Sequence, residues 1–183
     1  MNLIPDRPWE WARGIDPARP NHSMTVGYAF ASCWHASPYE NAHLWHVYGQ
    51  NGVAIQTTFG NLTASLVGDQ TFYGGAVTYI DYEHDSFPAD NAFHTLMHKR
   101  KYFEADHEVR LIAPGVPPDD ELGWVGDQRQ GFEIAAERET LIGSVRVSPQ
   151  AGTYVRDAVQ AVLDRFGLDL TVEQSGLDDP PRF

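Results

Sequence analysis

The sequence predicts a single α+β or mixed α/β domain, with about six or seven strands in a mixed sheet and three or four helices. Three observations lead there. Short runs of period-two alternation and runs of helical period follow one another in mixed order, not as strict β–α repeats. The chain has 183 residues and is 42% hydrophobic, enough for one domain with a sizeable core. Its lone cysteine, Cys33, rules out an intramolecular disulfide framework and suits a reducing compartment.

Taken in order, residues 1–26 read as a coil-like arm. The first 21 residues hold four prolines and three arginines without a clean period, and Trp9 and Trp11 are its anchors. A core over 27–177 follows, with a short tail at 178–183. Tyr28 to Trp34 reads as a strand. The next segment reads as a helix, with Ser37 as N-cap, Pro38 at the first helical position and Glu40 completing a capping box. It runs to about Tyr48, where Gly49 supplies a left-handed cap. After the Asn51-Gly52 turn, Val53, Ile55 and Thr57 alternate with Ala54, Gln56 and Thr58 as a half-buried strand. Strand, helix and strand in about thirty residues is the size of a crossover unit.

Leu62 to Leu66 reads as a helical turn, and Thr71 to Tyr82 as a strand in which Gly74-Gly75 marks a bulge or a close backbone approach. Residues 83–91 are loop-like. Ala92 to Lys101 reads as a helix and Glu104 to Ala113 as a strand. The acidic, Pro- and Gly-rich loop at 116–130 has the length of a lid or binding loop. Residues 131–136 and 141–147 read as strands. Pro149 opens an amphipathic helix with Val155, Val159, Val162 and Phe166 on its apolar face, capped by Gly167. Leu168 to Glu173 is the last strand.

The net charge of −12 disfavours nucleic acid as an extended partner, since phosphate binding needs a basic face. No Lys or Arg occurs between Asn21 and His98, and the only two lysines, Lys99 and Lys101, flank Arg100. That leaves a small anionic ligand held by one basic cluster, or a protein partner. No stretch approaches the ~20 apolar residues of a membrane span, and the N-terminus lacks the apolar segment of a signal peptide. The expected location is cytoplasmic, with no membrane partner.

The sharpest constellation is Glu104-Ala105-Asp106-His107-Glu108-Val109-Arg110. On a strand, Glu104, Asp106, Glu108 and Arg110 share one face. Stacked carboxylates repel, which raises one pKa towards a useful range, while Arg110 keeps the other ionised. The plainer reading is a solvated edge with an Arg–Glu pair. The run His98-Lys99-Arg100-Lys101 reads either as cations at a helix C-terminus or as a phosphate clamp. Trp34, Trp45 and Tyr48 suit stacking on a base, or ordinary core packing. Glu40, His43 and His46 have the spacing of half a bundle-type metal site, but no second half appears, so no metal is expected. Cys33 and His35 are two apart on a strand and poorly placed as a thiol–imidazole pair, so Cys33 reads as a core residue.

With these residues in view, SCWHASPYENAHLWHVYGQNGVAIQTTF, VTYIDY and HKRKYFEADHEVRLI together resemble the bacterial family known as domain of unknown function 2971. The resemblance runs from about Phe30 to Leu177. Asp106 and Glu108 stand where that family has a Glu-x-Glu pair, and the family's longer N-terminal region is nearly absent. The family name implies no activity. A more distant similarity is to ADP-ribosyltransferase-like folds, which set a strand-borne Ser and a later Glu-x-Glu strand around NAD. That similarity implies Ser32, Asp106 and Glu108 as counterparts.

The resulting expectation is a small nucleotide-like-ligand-binding protein, with transfer or hydrolysis of ADP-ribose from NAD as the candidate reaction. Glu108 is the key carboxylate, with Asp106 as partner and general base. Ser32, Trp34, His35, Trp45, Tyr48, Lys99, Arg100 and Arg110 are the ligand-binding candidates. The alternative is a non-enzymatic interaction protein or ligand sponge of a bacterial or phage conflict system.

Overall fold

The computed structural model describes residues 29–86, 92–114 and 133–181. The expected arm at 1–26 and loop at 116–130 lie outside them. The fold is mixed α+β, as expected. In chain order the elements are β1 (Ala29–His35), α1 (Ala42–Tyr48), β2 (Val53–Gln56), α2 (Phe59–Ala64), β3 (Tyr73–Ala76), β4 (Thr78–Ile80), α3 (Ala92–Met97), β5 (His98–Arg100), a 3-10 helix (Lys101–Asp106), β6 (Glu108–Pro114), α4 (Arg138–Leu141), β7 (Ser144–Val147), α5 (Thr153–Arg165) and β8 (Val172–Gln174). The strands form three small sheets rather than one mixed sheet: β1-β6-β3, β2-β7-β8, and the pair β4-β5.

These elements belong to two compact units that the chain interleaves. One takes the described residues of Met1–Ser37 and Asp69–Glu133, the other Pro38–Gly68 and Ile134–Phe183. The expected crossover is therefore not formed, because β1 and β2 lie in different sheets. Alternation shows that a segment is a strand but does not name its partner. The partner of β1 is β6, antiparallel, with Cys33 opposite Arg110 and His35 opposite Glu108.

In the first unit, β3 flanks β6 on its other side, with Gly75 opposite Arg110. The expected long strand at 71–82 is two strands, separated at Val77, whose backbone N–H donates to Glu108 O at 2.8 Å. Gly75 does mark a close approach: a Cβ there would stand 3.1 Å from Met97 Cε. Met97 and Ile112 form the core of this unit, with Ala29, Tyr73 and Leu96 packed against them. The helix expected over 92–101 ends at Met97, and the basic run continues as β5, parallel to β4.

In the second unit, β7 pairs antiparallel with β2 and parallel with β8. The expected half-buried strand is an edge strand, and all four residues of β2 are exposed. The cap of α1 is Asn41, whose Oδ1 accepts from His43 and Leu44 backbone N–H groups, in place of the expected Ser37–Glu40 capping box. Gly49 is not left-handed (φ −139°). Its need for glycine is steric, since a Cβ would stand 2.7 Å from the Trp45 ring. Gly167 does adopt the left-handed conformation, with φ +70°. The inner face of α5 runs through Val155, Val159 and Leu163, whereas Val162 and Phe166 are exposed. Spacings of four keep the first three on one stripe.

Among the described residues, no helix is long and apolar enough to cross a membrane.

Candidate functional site

Four charged residues of the first unit, Lys99, Asp106, Glu108 and Arg110, converge within twelve positions of sequence. Glu108 opens β6, and only 8% of its surface is exposed. Its Oε1 accepts from Arg110 Nε at 2.7 Å, and its Oε2 from Lys99 Nζ and Arg110 Nη2, each at 3.2 Å. Lys99 Nζ also donates to Asp106 Oδ2 at 2.6 Å. Arg110 donates further to the Leu96 carbonyl, tying the network to the end of α3. Two cations and two carboxylates thus form one neutral, partly buried cluster.

The sequence-based grouping holds here in part and for a different reason. Glu108 and Arg110 share a face of β6, as alternation requires. Asp106 is not on the strand. It ends the 3-10 helix, and His107 then turns the chain through the left-handed region (φ 42°, ψ 52°), the only non-glycine residue among those described to do so. Lys99 reaches the cluster from β5, where it stands beside Tyr79. Arg100, its neighbour, faces away, with its guanidinium 4.5 Å from the centre of the Tyr82 ring.

The expectation left open which carboxylate Arg110 keeps ionised, and it is Glu108. Burial alone would raise its pKa, but hydrogen bonds from Arg110, Cys33 and Lys99 outweigh it and hold the carboxyl at about 2. Burial likewise opposes the charge on Lys99, and its bonds to Asp106 and Glu108 overcome that and raise its pKa. At Glu108, two cations inside hydrogen-bond range dominate the like-charge repulsion.

Two residues join the site that sequence reasoning did not place there. The Tyr79 hydroxyl accepts from the Glu108 backbone N–H at 2.8 Å. Its Val77-x-Tyr79 setting was the available signal. Cys33 lies opposite Arg110 and interacts with the Glu108 carboxylate; desolvation, with that carboxylate second, pushes its thiol up to about 11. Cys33 is thus not a core residue but an exposed one with an inert thiol on the site's edge.

His35, opposite Glu108, belongs to the same face. Its Nδ1 is 2.6 Å from the Asp106 carbonyl, which can only accept, so Nδ1 carries the proton. Ser32 and Trp34 do not join. They lie opposite Leu111 and Val109, on the other face of the sheet, and the Trp34 indole N–H donates to Ser32 Oγ at 3.0 Å. The site therefore lacks the serine that the ADP-ribosyltransferase similarity implies. Trp45 and Tyr48, expected among the ligand-binding residues, belong to the second unit. There Trp45 is buried and donates from its indole to Glu40, and Tyr48 is exposed.

No family model, curated protein or solved structure matches this chain.

Among the described residues, no group of three or more His, Cys, Asp and Glu side chains is placed to hold a metal ion. Both Glu40 oxygens are engaged, one by Trp45 and one by Arg146. What the cluster offers chemically is a carboxylate kept ionised across the neutral range, a second carboxylate beside it, and a lysine bridging the two.

Proposed function

We propose that the protein binds a nucleotide-like ligand on the Lys99–Asp106–Glu108–Arg110 network, with NAD or ADP-ribose as the candidate ligand. The observation that carries this reading is Glu108: a buried carboxylate that Lys99 and Arg110 hold ionised. An ionised carboxylate accepts ribose hydroxyls well, because charge-assisted hydrogen bonds are the strong ones. Lys99 holds Asp106 at 2.6 Å but Glu108 at 3.2 Å. A ribose hydroxyl displacing the longer contact leaves the lysine paired.

The reaction this placement serves is ADP-ribosyl transfer or NAD hydrolysis. As the bond from the ribose anomeric carbon to nicotinamide nitrogen breaks, its electron pair leaves with nicotinamide. Glu108 then faces the positive charge developing on the sugar. Water or an acceptor hydroxyl adds to that carbon, and Asp106 takes its proton. The resemblance to domain of unknown function 2971 lends this reading a set of residues but no activity, and the place of Ser32 on the other face weakens the more distant similarity to ADP-ribosyltransferase-like folds.

A second reading has its own observation. The four charges neutralise one another, and both Glu108 oxygens already have partners, as in a structural cluster. This favours a non-enzymatic binder or ligand sponge, which would hold the ligand without turnover.

The test is a thermal-shift screen with NAD, ADP-ribose, ATP and cyclic nucleotides. A ligand at a hundredfold excess over its Kd stabilises the native state by about 2.7 kcal/mol. The expected result is a rise in Tm with NAD or ADP-ribose that Glu108→Gln abolishes. No rise with any nucleotide, or a rise that Glu108→Gln leaves intact, overturns the assignment. Binding with no nicotinamide release selects the sponge.

A further inference from the structure

The 3-10 helix that delivers Asp106 also carries Phe103, and Lys99 Nζ lies 4.8 Å from the centre of its ring. The same ammonium bonds both carboxylates, so Phe103 borders the ion network directly. Phe103 nevertheless keeps 48% of its surface exposed. Covering an exposed apolar ring is favourable, so a ligand seated on the ion network gains by reaching it. A cation against an aromatic ring also fixes where that ring sits.

We infer that Phe103 is the stacking platform for the planar base of the ligand, next to the Lys99, Asp106 and Glu108 side chains that take its sugar-phosphate part. This rests on the function proposed above and makes the ligand class narrower: a nucleotide with its base, not a bare sugar phosphate. Base–aromatic stacking tolerates different bases, because every base has a π-face. Selectivity among bases is therefore expected to be weak. The overall charge of −12 opposes a polynucleotide along the same surface.

The experiment is isothermal titration of the full chain with ribose 5-phosphate, nicotinamide mononucleotide and a short oligo(A). The wild type should bind nicotinamide mononucleotide more tightly than ribose 5-phosphate, which differs from it by the base alone. Phe103→Ala should weaken nicotinamide mononucleotide by roughly tenfold or more, the scale of one stacked base, and leave ribose 5-phosphate unchanged. Phe103→Trp should restore the difference, and Tyr154→Ala, which removes an exposed aromatic of the second unit, should change neither. Circular dichroism of each variant verifies the fold. If wild type binds the two small ligands equally, or Phe103→Ala weakens both alike or neither, the platform is wrong while the ion-network site stands. If wild type binds neither, both proposals fall. Tighter binding of oligo(A) than of nicotinamide mononucleotide overturns the mononucleotide ligand in favour of single strands.

Discussion

Each unit contains an arginine–carboxylate network, and the two are built differently. In the second unit, Arg146 on β7 bonds Glu40, 106 residues away, at 2.9 Å, and Glu173 on β8, 27 residues away. Glu40 also receives the Trp45 indole N–H at 2.9 Å. That network ties three remote segments together and has an evident structural use. In the first unit, Lys99, Asp106, Glu108 and Arg110 are near neighbours in sequence. Their ion pairs close no long loop, so they add little to the connectivity of the fold. Yet the local network is the more deeply buried, with Glu108 at 8% exposure against 51% for the Glu173 side chain. Burying charge is expensive, and a buried ion pair is weak evidence of stability. A costly cluster with a small structural return is where function is to be sought first.

The largest loss is expected at Glu108. Glu108→Ala strands Arg110 and Lys99 without their shared carboxylate and should cost about 3 kcal/mol in urea unfolding. A loss under about 1 kcal/mol would mean the pair is effectively solvated. The same group predicts a pH dependence. Its folded pKa of about 2 lies below the ordinary 4.5, so its contribution is complete above about 4.5 and is lost as the pH falls towards 2. After allowance for solvent screening this is about 1–2 kcal/mol. In Glu108→Gln that portion of the acid-induced loss should disappear; a wild-type-like acid profile would refute the assignment.

Arg146→Ala is the sharpening counterpart. It should destabilise by about 1 kcal/mol, since its pairs are more exposed, and leave ligand affinity as in wild type. A drop in affinity comparable to that of Glu108→Gln would erase the distinction between the networks.

The smallest effect is chemical. With its thiol at about 11, Cys33 should alkylate slowly with iodoacetamide at pH 8, and Glu108→Gln should speed the reaction by removing a neighbouring negative charge. Equal rates in folded protein would take Cys33 out of contact with Glu108.

Local signals in the sequence were legible where the cause was local. The α+β class, the existence of most elements, the left-handed turn at Gly167 and the shared face of Glu108 and Arg110 follow from periodicity and backbone sterics. So did the concentration of chemistry near the only two lysines. Misreadings arose where a neighbour decided. Asn41 beat Ser37 to the cap, and Glu40 left its capping box for Arg146 and Trp45. Leu163 took the inner position on α5 expected of Val162, because the sheet beneath selects one of two adjacent stripes.

Composition and spacing dictate which residues can be charged and how close they stand along the chain. The signs of the pKa shifts and the sides of the sheet come from the packed fold. Like charges two apart predicted that one carboxyl of the pair is raised, and hydrogen bonds from Arg110, from Cys33 on β1 and from Lys99 on β5 hold Glu108 low. Alternation put Ser32 and Trp34 on one face of β1 and Cys33 and His35 on the other, and the pairing of β1 with β6 decided which of the two faces meets Glu108 and Arg110. The physical reason is common to both. Periodicity is a property of one strand, whereas electrostatic environment and facing depend on partners that the chain brings in from tens of residues away.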